Sequence, residues 1–168
     1  IGNGSFHDFE FFQTYVMHPE LAATIPYIKT FVAKGIDVNA YARLDYTVWG
    51  FHAMIVSDNG TTFIDPWNLG DEKNYICYYK HDARHTDAFV CETDDMNQRI
   101  EKHAALKSSG NNLRTYRLAL ACTGEYAAFY GGTKAGAFSG MVTSVNRVTG
   151  VYQKEVAVKL ILVPNDTL

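Results

Sequence analysis

The last third of the chain holds the pattern that most constrains its fold, a helical stretch between two apolar ones. Thr115–Cys122 is mostly apolar and typical of a strand, and Val156–Val163 is a second, nearly continuous apolar run. Between them, Thr133 is a suitable N-cap for a helix. One face of that helix carries Phe138, Val142 and Val145, with Met141, Val148 and Tyr152 beside them. Strand, helix and strand in this order predict two parallel strands joined by a crossover.

This unit is physically incomplete as a folded layer. Parallel strands of such composition are usually buried on both faces, whereas a single helix covers one. The edge of Val156–Val163 also needs a partner, because unpaired strand edges expose hydrogen-bonding groups. Gly136 and Gly140 flank the apolar helix face and would allow a sheet to approach closely. We therefore expect further chain, or a second chain, to complete the sheet.

The first part of the chain is rich in predicted strands and in aromatic residues, which favour sheet. Asp58-Asn59-Gly60 is a strong hairpin signal, and Pro19–Thr24 is typical of a short helix with Pro at its start. Phe51–Ser57 alternates only loosely, which indicates that both faces of that strand are covered. The predicted strands are Phe9–Val16, Ile28–Val32, Ala40–Tyr46, Phe51–Ser57, Thr61–Asp65 and Tyr75–Lys80.

A compositional linker divides the chain. Residues 108–112 (SSGNN) are small and polar, as expected of an exposed loop that a protease could cut. We predict an α+β protein with a β-rich domain at 1–107, a linker at 108–112 and a strand–helix–strand unit at 113–168.

The overall composition narrows the classes of partner. The formal net charge is −3 with the two signs interspersed, so a basic face for nucleic acid is not expected. Apolar runs stay below the roughly 18 residues needed to cross a bilayer, so no membrane span is expected. Three cysteines do not make a disulfide framework.

Several consecutive stretches resemble the start of the reprolysin-like zinc metalloproteases of the metzincin clan, in the bacterial secreted branch. The matching stretches are Leu113–Ala121, Thr123–Tyr126, Gly131–Thr133, Met141–Thr143 and Asn146–Val148. Before the linker, shorter stretches are similar to the propeptide of the same precursors, namely Phe51–Met54, Ile64–Pro66 and Tyr78–Lys80. The resemblance therefore implies that 1–107 is a propeptide and that 113–168 is the N-terminal part of a metzincin-type α/β catalytic domain.

The chemistry of that family depends on a helix with HExxHxxGxxH, in which three His bind zinc and the Glu is the general base. This sequence contains no His-Glu dipeptide and no His after His103. The resemblance thus implies an inactive chain without catalytic or metal-binding residues, and zinc in the parent enzyme. The implied partners are the remainder of the catalytic domain and the protein or peptide substrates of the parent. Secretion is implied too, although no signal peptide stands at the start of this sequence.

Cys91 is the residue that the resemblance singles out. Metzincin propeptides often keep the enzyme latent by placing a Cys thiolate on the open zinc position, and Cys91 precedes the linker. The alternative is a buried structural thiol, because free Cys is commonly buried. Cys77 and Cys122 lie in predicted strands, and we predict both in the core. A Cys77–Cys91 disulfide is a further alternative.

Other polar residues have more ordinary interpretations. His81 and His85 have the spacing of a helical metal pair but follow a strand, so a solvated turn is favoured over a weak metal site. His52 is predicted to be a hydrogen-bonded structural histidine rather than the partner of a catalytic Cys. Glu125 is predicted to lie on the surface or at the start of a helix. Three acidic residues lie in turns without the spacing of a calcium loop: Asp58, Asp65 and Asp71.

A different class of function stays open on the sequence alone. The β-rich first half could be a secreted binding or interaction module, with an aromatic surface that engages a partner and the strand–helix–strand unit as support. A small cysteine hydrolase is disfavoured because no nucleophile motif is recognisable.

Overall fold

The computed structural model describes residues 1–83 and 112–164. The first range contains six strands, a short helix and a 3₁₀ turn at Lys80–Asp82: β1 (Phe9–Thr14), α1 (Pro19–Thr24), β2 (Lys29–Gly35), β3 (Ala40–Thr47), β4 (Gly50–Ser57), β5 (Gly60–Pro66) and β6 (Tyr75–Tyr79). The second contains β7 (Arg114–Leu118), α2 (Gly124–Phe129), α3 (Lys134–Val156) and β8 (Val158–Leu162). The predicted mixture of helices with a β-rich first part is confirmed.

The six strands of the first range form one antiparallel sheet in the order β1 to β6, which we call the N-terminal sheet. Neighbouring strands follow each other in sequence, so short turns suffice to connect most of them. The predicted hairpin is confirmed: Ser57 pairs with Gly60, and Gly60 has φ +109°, a region that glycine reaches without steric cost. Each strand is found close to its predicted position.

Strands β7 and β8 pair in parallel with α3 between them in sequence, as predicted, and together they form the strand–helix–strand unit. The Thr133 hydroxyl caps α3 by accepting from the Gly136 N–H at 3.0 Å. The helix ends at Ala157, which is left-handed at φ 53° and turns the chain directly into β8. Two predicted boundaries were wrong, since Val156 is helical and β7 ends at Leu118.

The free edge of β8 has a partner in the first range. The Leu162 N–H donates to the Val16 carbonyl at 2.8 Å, and the His18 N–H donates to the Leu162 carbonyl at 2.9 Å. Met17 and Leu162 thereby form a parallel bridge. The expected need for further pairing is therefore met at this edge by the few residues that follow β1.

The main core lies where α1, α3 and β8 meet. It is built from both described ranges: Val16, Met17, Leu21, Ile25 and Ile28 from the first, and Phe138, Met141, Val142, Val145 and Leu162 from the second. The predicted apolar face of α3 is confirmed by these residues, whereas Val148 and Tyr152 are exposed. Helix α3 also packs against β3, so its other side faces the N-terminal sheet.

Candidate functional site

A buried polar cluster lies where α3 crosses the N-terminal sheet. Asp45 on β3 is 1% exposed, and its carboxylate faces the helix. Its Oδ2 accepts from the Thr143 hydroxyl at 2.6 Å, and its Oδ1 accepts from the Asn146 amide at 3.2 Å. The same amide donates to the Leu44 carbonyl at 2.9 Å. We call Asp45, His52, Thr143 and Asn146 the Asp45 cluster.

His52 stands directly opposite Asp45 on the neighbouring strand β4. Its side chain is 12% exposed, and its Nδ1 lies 3.4 Å from Asp45 Oδ2 without making a hydrogen bond. His52 was predicted to be a hydrogen-bonded structural histidine, and the predicted hydrogen bond is absent at Nδ1. The ring adds an electrostatic contact to the carboxylate instead, whenever it is protonated.

A second charged contact joins α3 to β5. Arg147 Nη2 lies 2.5 Å from Asp65 Oδ1, and its guanidinium is 4.9 Å from the centre of the Phe63 ring. The other oxygen of Asp65 accepts from the Tyr78 hydroxyl at 3.0 Å. Burial and the neighbouring Asp65 carboxylate together raise the pKa of the Tyr78 hydroxyl. Asp65, the last residue of the predicted strand Thr61–Asp65, lies within β5 rather than in the turn that follows, and it contacts the helix.

Trp49, in the turn between β3 and β4, anchors the start of α3. Its indole N–H donates to the Gly136 carbonyl at 2.8 Å. A β-carbon at Gly136 would lie 2.7 Å from the indole ring and would also clash with the Tyr130 carbonyl oxygen, so glycine is what leaves room for both neighbours. The predicted close approach at Gly136 is confirmed for a hairpin of the sheet. At Gly140 the neighbour is the Tyr130 ring rather than a sheet.

The geometry of these contacts indicates a structural role, which is to hold α3 on the sheet, rather than catalysis. Asp45 is enclosed, and its two donors hold both carboxylate oxygens, so a substrate has no access to it. A buried carboxylate is tolerable only when donors replace the lost water. The cluster therefore fixes α3 at one position and orientation on the sheet, since a shift along the helix would leave the carboxylate unpaired.

A serine, a histidine and an aspartate also lie in a row near the start of the chain. Ser5 Oγ is 2.9 Å from His7 Nε2, and His7 Nδ1 is 3.2 Å from Asp37 Oδ2. However, the Ser5 hydroxyl has a nearer acceptor in Asn3 Oδ1 at 2.7 Å, and the Asp37 side chain is 48% exposed. The serine proton is directed away from His7 and the Asp37 carboxylate is solvated, so these three residues do not make an activated nucleophile. Their hydrogen bonds connect the first residues of the chain to the β2–β3 turn.

Two concave regions lie outside the polar interface. One, of about 650 Å³, is bordered by the chain after β7, the start of α3 and the loop after α1, with Leu120, Phe138 and Ile25 among its apolar walls. The other, of about 390 Å³, lies on the face of the N-terminal sheet that points away from α3. Its floor consists of Ala33, Ala42, Leu44, Ala53 and Ile55, and its walls include Phe9, Phe11 and Phe51. We call it the apolar groove.

The predicted core positions of two cysteines were wrong. Cys77 is a free, exposed thiol on β6, the last strand of the sheet among the described residues, where it borders the apolar groove. Cys122 is also free and exposed, because β7 ends four residues earlier and leaves it in irregular chain before α2. Cys91 lies outside the described residues, so its predicted role in latency stays a prediction.

The remaining predicted residues have ordinary surroundings. His81 lies in the 3₁₀ turn, stacks on Tyr79 and is solvated, as predicted, while His85 lies outside the described residues. Glu125 is in the first turn of α2, as predicted, where backbone and Thr123 hydrogen bonds lower the pKa of its carboxyl. Within residues 1–83 and 112–164, no three His, Cys, Asp or Glu side chains are grouped as metal ligands.

Sequence reasoning missed Asp45, Trp49, Thr143 and Asn146. One signal was available: Tyr41, Arg43 and Asp45 alternate along a strand that otherwise carries apolar residues. Polar residues at every second position of a strand share one face. Thr143 and Asn146 are likewise three apart on a helix, hence on one side of it. The pairing between them was not readable, because the contacts span about a hundred residues.

Comparisons with family models, curated proteins and solved structures returned no match to this chain. Among the helices of the described ranges, none is both long and apolar enough to cross a membrane.

Proposed function

We propose that this chain is the N-terminal part of a secreted zinc metalloendopeptidase precursor. Residues 1–107 are an inhibitory, fold-assisting propeptide, and residues from 113 onward begin a metzincin-type catalytic domain. The observation that carries the proposal is the parallel pairing of β7 and β8 around α3, in the segment that resembles those enzymes. Zinc, protein substrates and the zinc-binding helix belong to the parent enzyme.

The contacts between the two ranges support a fold-assisting role for the first one. A propeptide assists folding when it binds the native form of its partner and stabilises it by mass action. The N-terminal sheet supplies Asp45, Trp49 and Asp65 to α3, and Val16–His18 pair with β8. An isolated pair of strands with one helix would lack these partners.

The reading frame after Leu168 in the parent gene provides the test. An HExxHxxGxxH segment there, with about one zinc bound per full-length protein and zinc-dependent casein hydrolysis after removal of 1–107, would support the proposal. A stop codon directly after Leu168, or a downstream segment without this motif, would contradict it.

Latency through Cys91 has its own experiment in the full-length precursor. We expect Cys91→Ala to raise casein hydrolysis before any propeptide cleavage, because water can then occupy the open zinc position. Cys77→Ala is the matched control, since Cys77 is a free and exposed thiol of the same half. Unchanged latency in Cys91→Ala would remove Cys91 from the mechanism while leaving the precursor proposal intact.

A second candidate function is a secreted binding module. It is favoured by the apolar groove, whose rim includes Phe11 at 57% exposure. An exposed apolar concavity is typical of a surface that contacts a partner. This function gains support if the reading frame stops after Leu168.

A further inference from the structure

Residues 1–83 and 112–164 share contacts that do not depend on the chain segment connecting them. Asp45 contributes the first contact. Both of its hydrogen-bond donors, Thr143 and Asn146, come from α3. Separating the two ranges would expose a carboxylate that is 1% exposed and leave the buried Asn146 amide without its acceptors. Charge-assisted bonds of this kind are stronger than neutral ones.

Trp49 contributes a second contact of a different kind. Its ring fills the space that Gly136 leaves open, and its N–H satisfies a carbonyl in the first turns of α3. It also lies 6.1 Å from the ring of Tyr130, just before α3. A tryptophan that is packed and hydrogen-bonded in this way is typical of the residues that dominate binding energy at interfaces.

A third contact is made by the backbone. Val16–His18 add to the edge of β8, which is strand augmentation, a mode of recognition in which main-chain hydrogen bonds give affinity. Around this edge the main core is contributed equally by the two ranges. The interface therefore combines an apolar core, a buried charge and a paired strand.

We infer that residues 1–83 remain bound to the strand–helix–strand unit after the connecting segment has been cut, held through Asp45, Trp49 and Val16–His18. This rests on the proposed function in so far as the two pieces are propeptide and enzyme. These contacts lie on α3 and β8. Cleavage of the linker alone therefore does not release the propeptide. Release requires a second event, such as proteolysis within residues 1–83.

The test uses the whole 168-residue chain with a specific protease recognition sequence inserted between residues 84 and 111. After folding, the chain is cut, diluted to micromolar concentration and passed through size exclusion. We expect the two pieces to elute together. Separate elution of the two wild-type pieces would overturn the inference. It would leave the precursor proposal untouched, because that depends on the downstream motif and on zinc.

Two substitutions test which contacts hold the cut pieces together. Asp45→Ala should weaken the association of the cut pieces at least about tenfold, measured as the dissociation constant by fluorescence. If Asp45→Ala fails to fold, Trp49→Phe keeps an aromatic ring but removes the indole donor and part of the packing against Gly136, and it should weaken association about threefold to tenfold. Trp67→Phe is the matched control, since Trp67 is 63% exposed, and it should change nothing. The assignment of these contacts would be overturned by two results together. The Trp49→Phe pieces would associate as tightly as the Trp67→Phe pieces, and Asp45→Ala would either associate as tightly as wild type or fail to fold.

Discussion

The two faces of the N-terminal sheet are opposite in character. The face towards α3 carries charged and polar side chains, such as Arg43 and Asp45, that are nevertheless buried. The other face carries alanines and phenylalanines and forms an open apolar groove. Hydrophobicity along the strands therefore does not tell which face is covered by the helix. The polar face gives α3 one specified position, because displaced donors and acceptors would be unpaired, while an apolar face would tolerate sliding.

The difference predicts a ranking of substitutions, with the largest effects on the face towards α3. Asp45→Ala should lower the free energy of unfolding by about 3 kcal/mol, because the buried Thr143 hydroxyl loses its acceptor and the Asn146 amide keeps only the Leu44 carbonyl. Urea denaturation followed by circular dichroism measures this. Asp58→Ala is the control: Asp58 accepts from Asn39 in an exposed contact and should matter by less than about 0.5 kcal/mol. Equal losses in both variants would show that the polar face has no special role.

Gly136→Ala tests how tightly the start of α3 is packed. The new methyl group would clash with the Tyr130 carbonyl oxygen and lie 2.7 Å from the Trp49 ring, and overpacking of this kind costs about 1–3 kcal/mol. Gly124→Ala is the matched control, because no heavy atom lies within 4 Å of its β-carbon position. It should be neutral or slightly stabilising, since alanine favours helix. Thermal unfolding of the two variants compares them, and a Gly136→Ala protein as stable as wild type would mean that the contacts of Gly136 with Trp49 and with the Tyr130 carbonyl are loose.

Arg147→Met should have a smaller effect, a loss of about 1 kcal/mol. The substitution removes the ion pair with Asp65 and the contact with the Phe63 ring, but both charged side chains are partly solvated. Arg117→Met, at an exposed position on β7, is the control. The loss should shrink in 1 M salt, because screening weakens partly exposed ion pairs. A loss that is independent of salt would indicate packing rather than charge.

The smallest effect is expected on the face of the apolar groove. In a Cys91→Ala, Cys122→Ala background, Cys77 should react fully with a thiol reagent in the folded protein, because it is free and exposed. Mass spectrometry follows the labelling. Modification of Cys77 should change the unfolding free energy by less than about 0.5 kcal/mol, as expected at an exposed position. Labelling that occurs only in denaturant would show that Cys77 is covered.

The sequence was most informative where structure is local. The helix at Pro19–Thr24, the cap at Thr133 and the turn at Asp58–Gly60 each depend on a few neighbouring residues, and all three are found. Each of these signals acts through the backbone of its own segment. The parallel pairing of β7 and β8 was also predictable, because the apolar helix between them sets the connection.

What the sequence did not reveal depends on distant contacts. Asp45 and Thr143 are 98 positions apart, and neither residue type in itself signals a partner. The edge of β8 was recognised as unpaired, but its partner at Val16–His18 lies in the other half of the chain. The predicted core positions of Cys77 and Cys122 were wrong because β6 is the outermost described strand of its sheet and β7 ends before Cys122.

A double-mutant cycle between Asp45 and Thr143 tests most directly whether the N-terminal sheet is held on α3 by its buried carboxylate. The unfolding free energies of wild type, Asp45→Ala, Thr143→Val and the double variant are measured under one set of conditions. The account predicts a coupling energy of about 1–2 kcal/mol between the two side chains, as expected for residues in direct contact. Additive effects, with a coupling below about 0.3 kcal/mol, would contradict it.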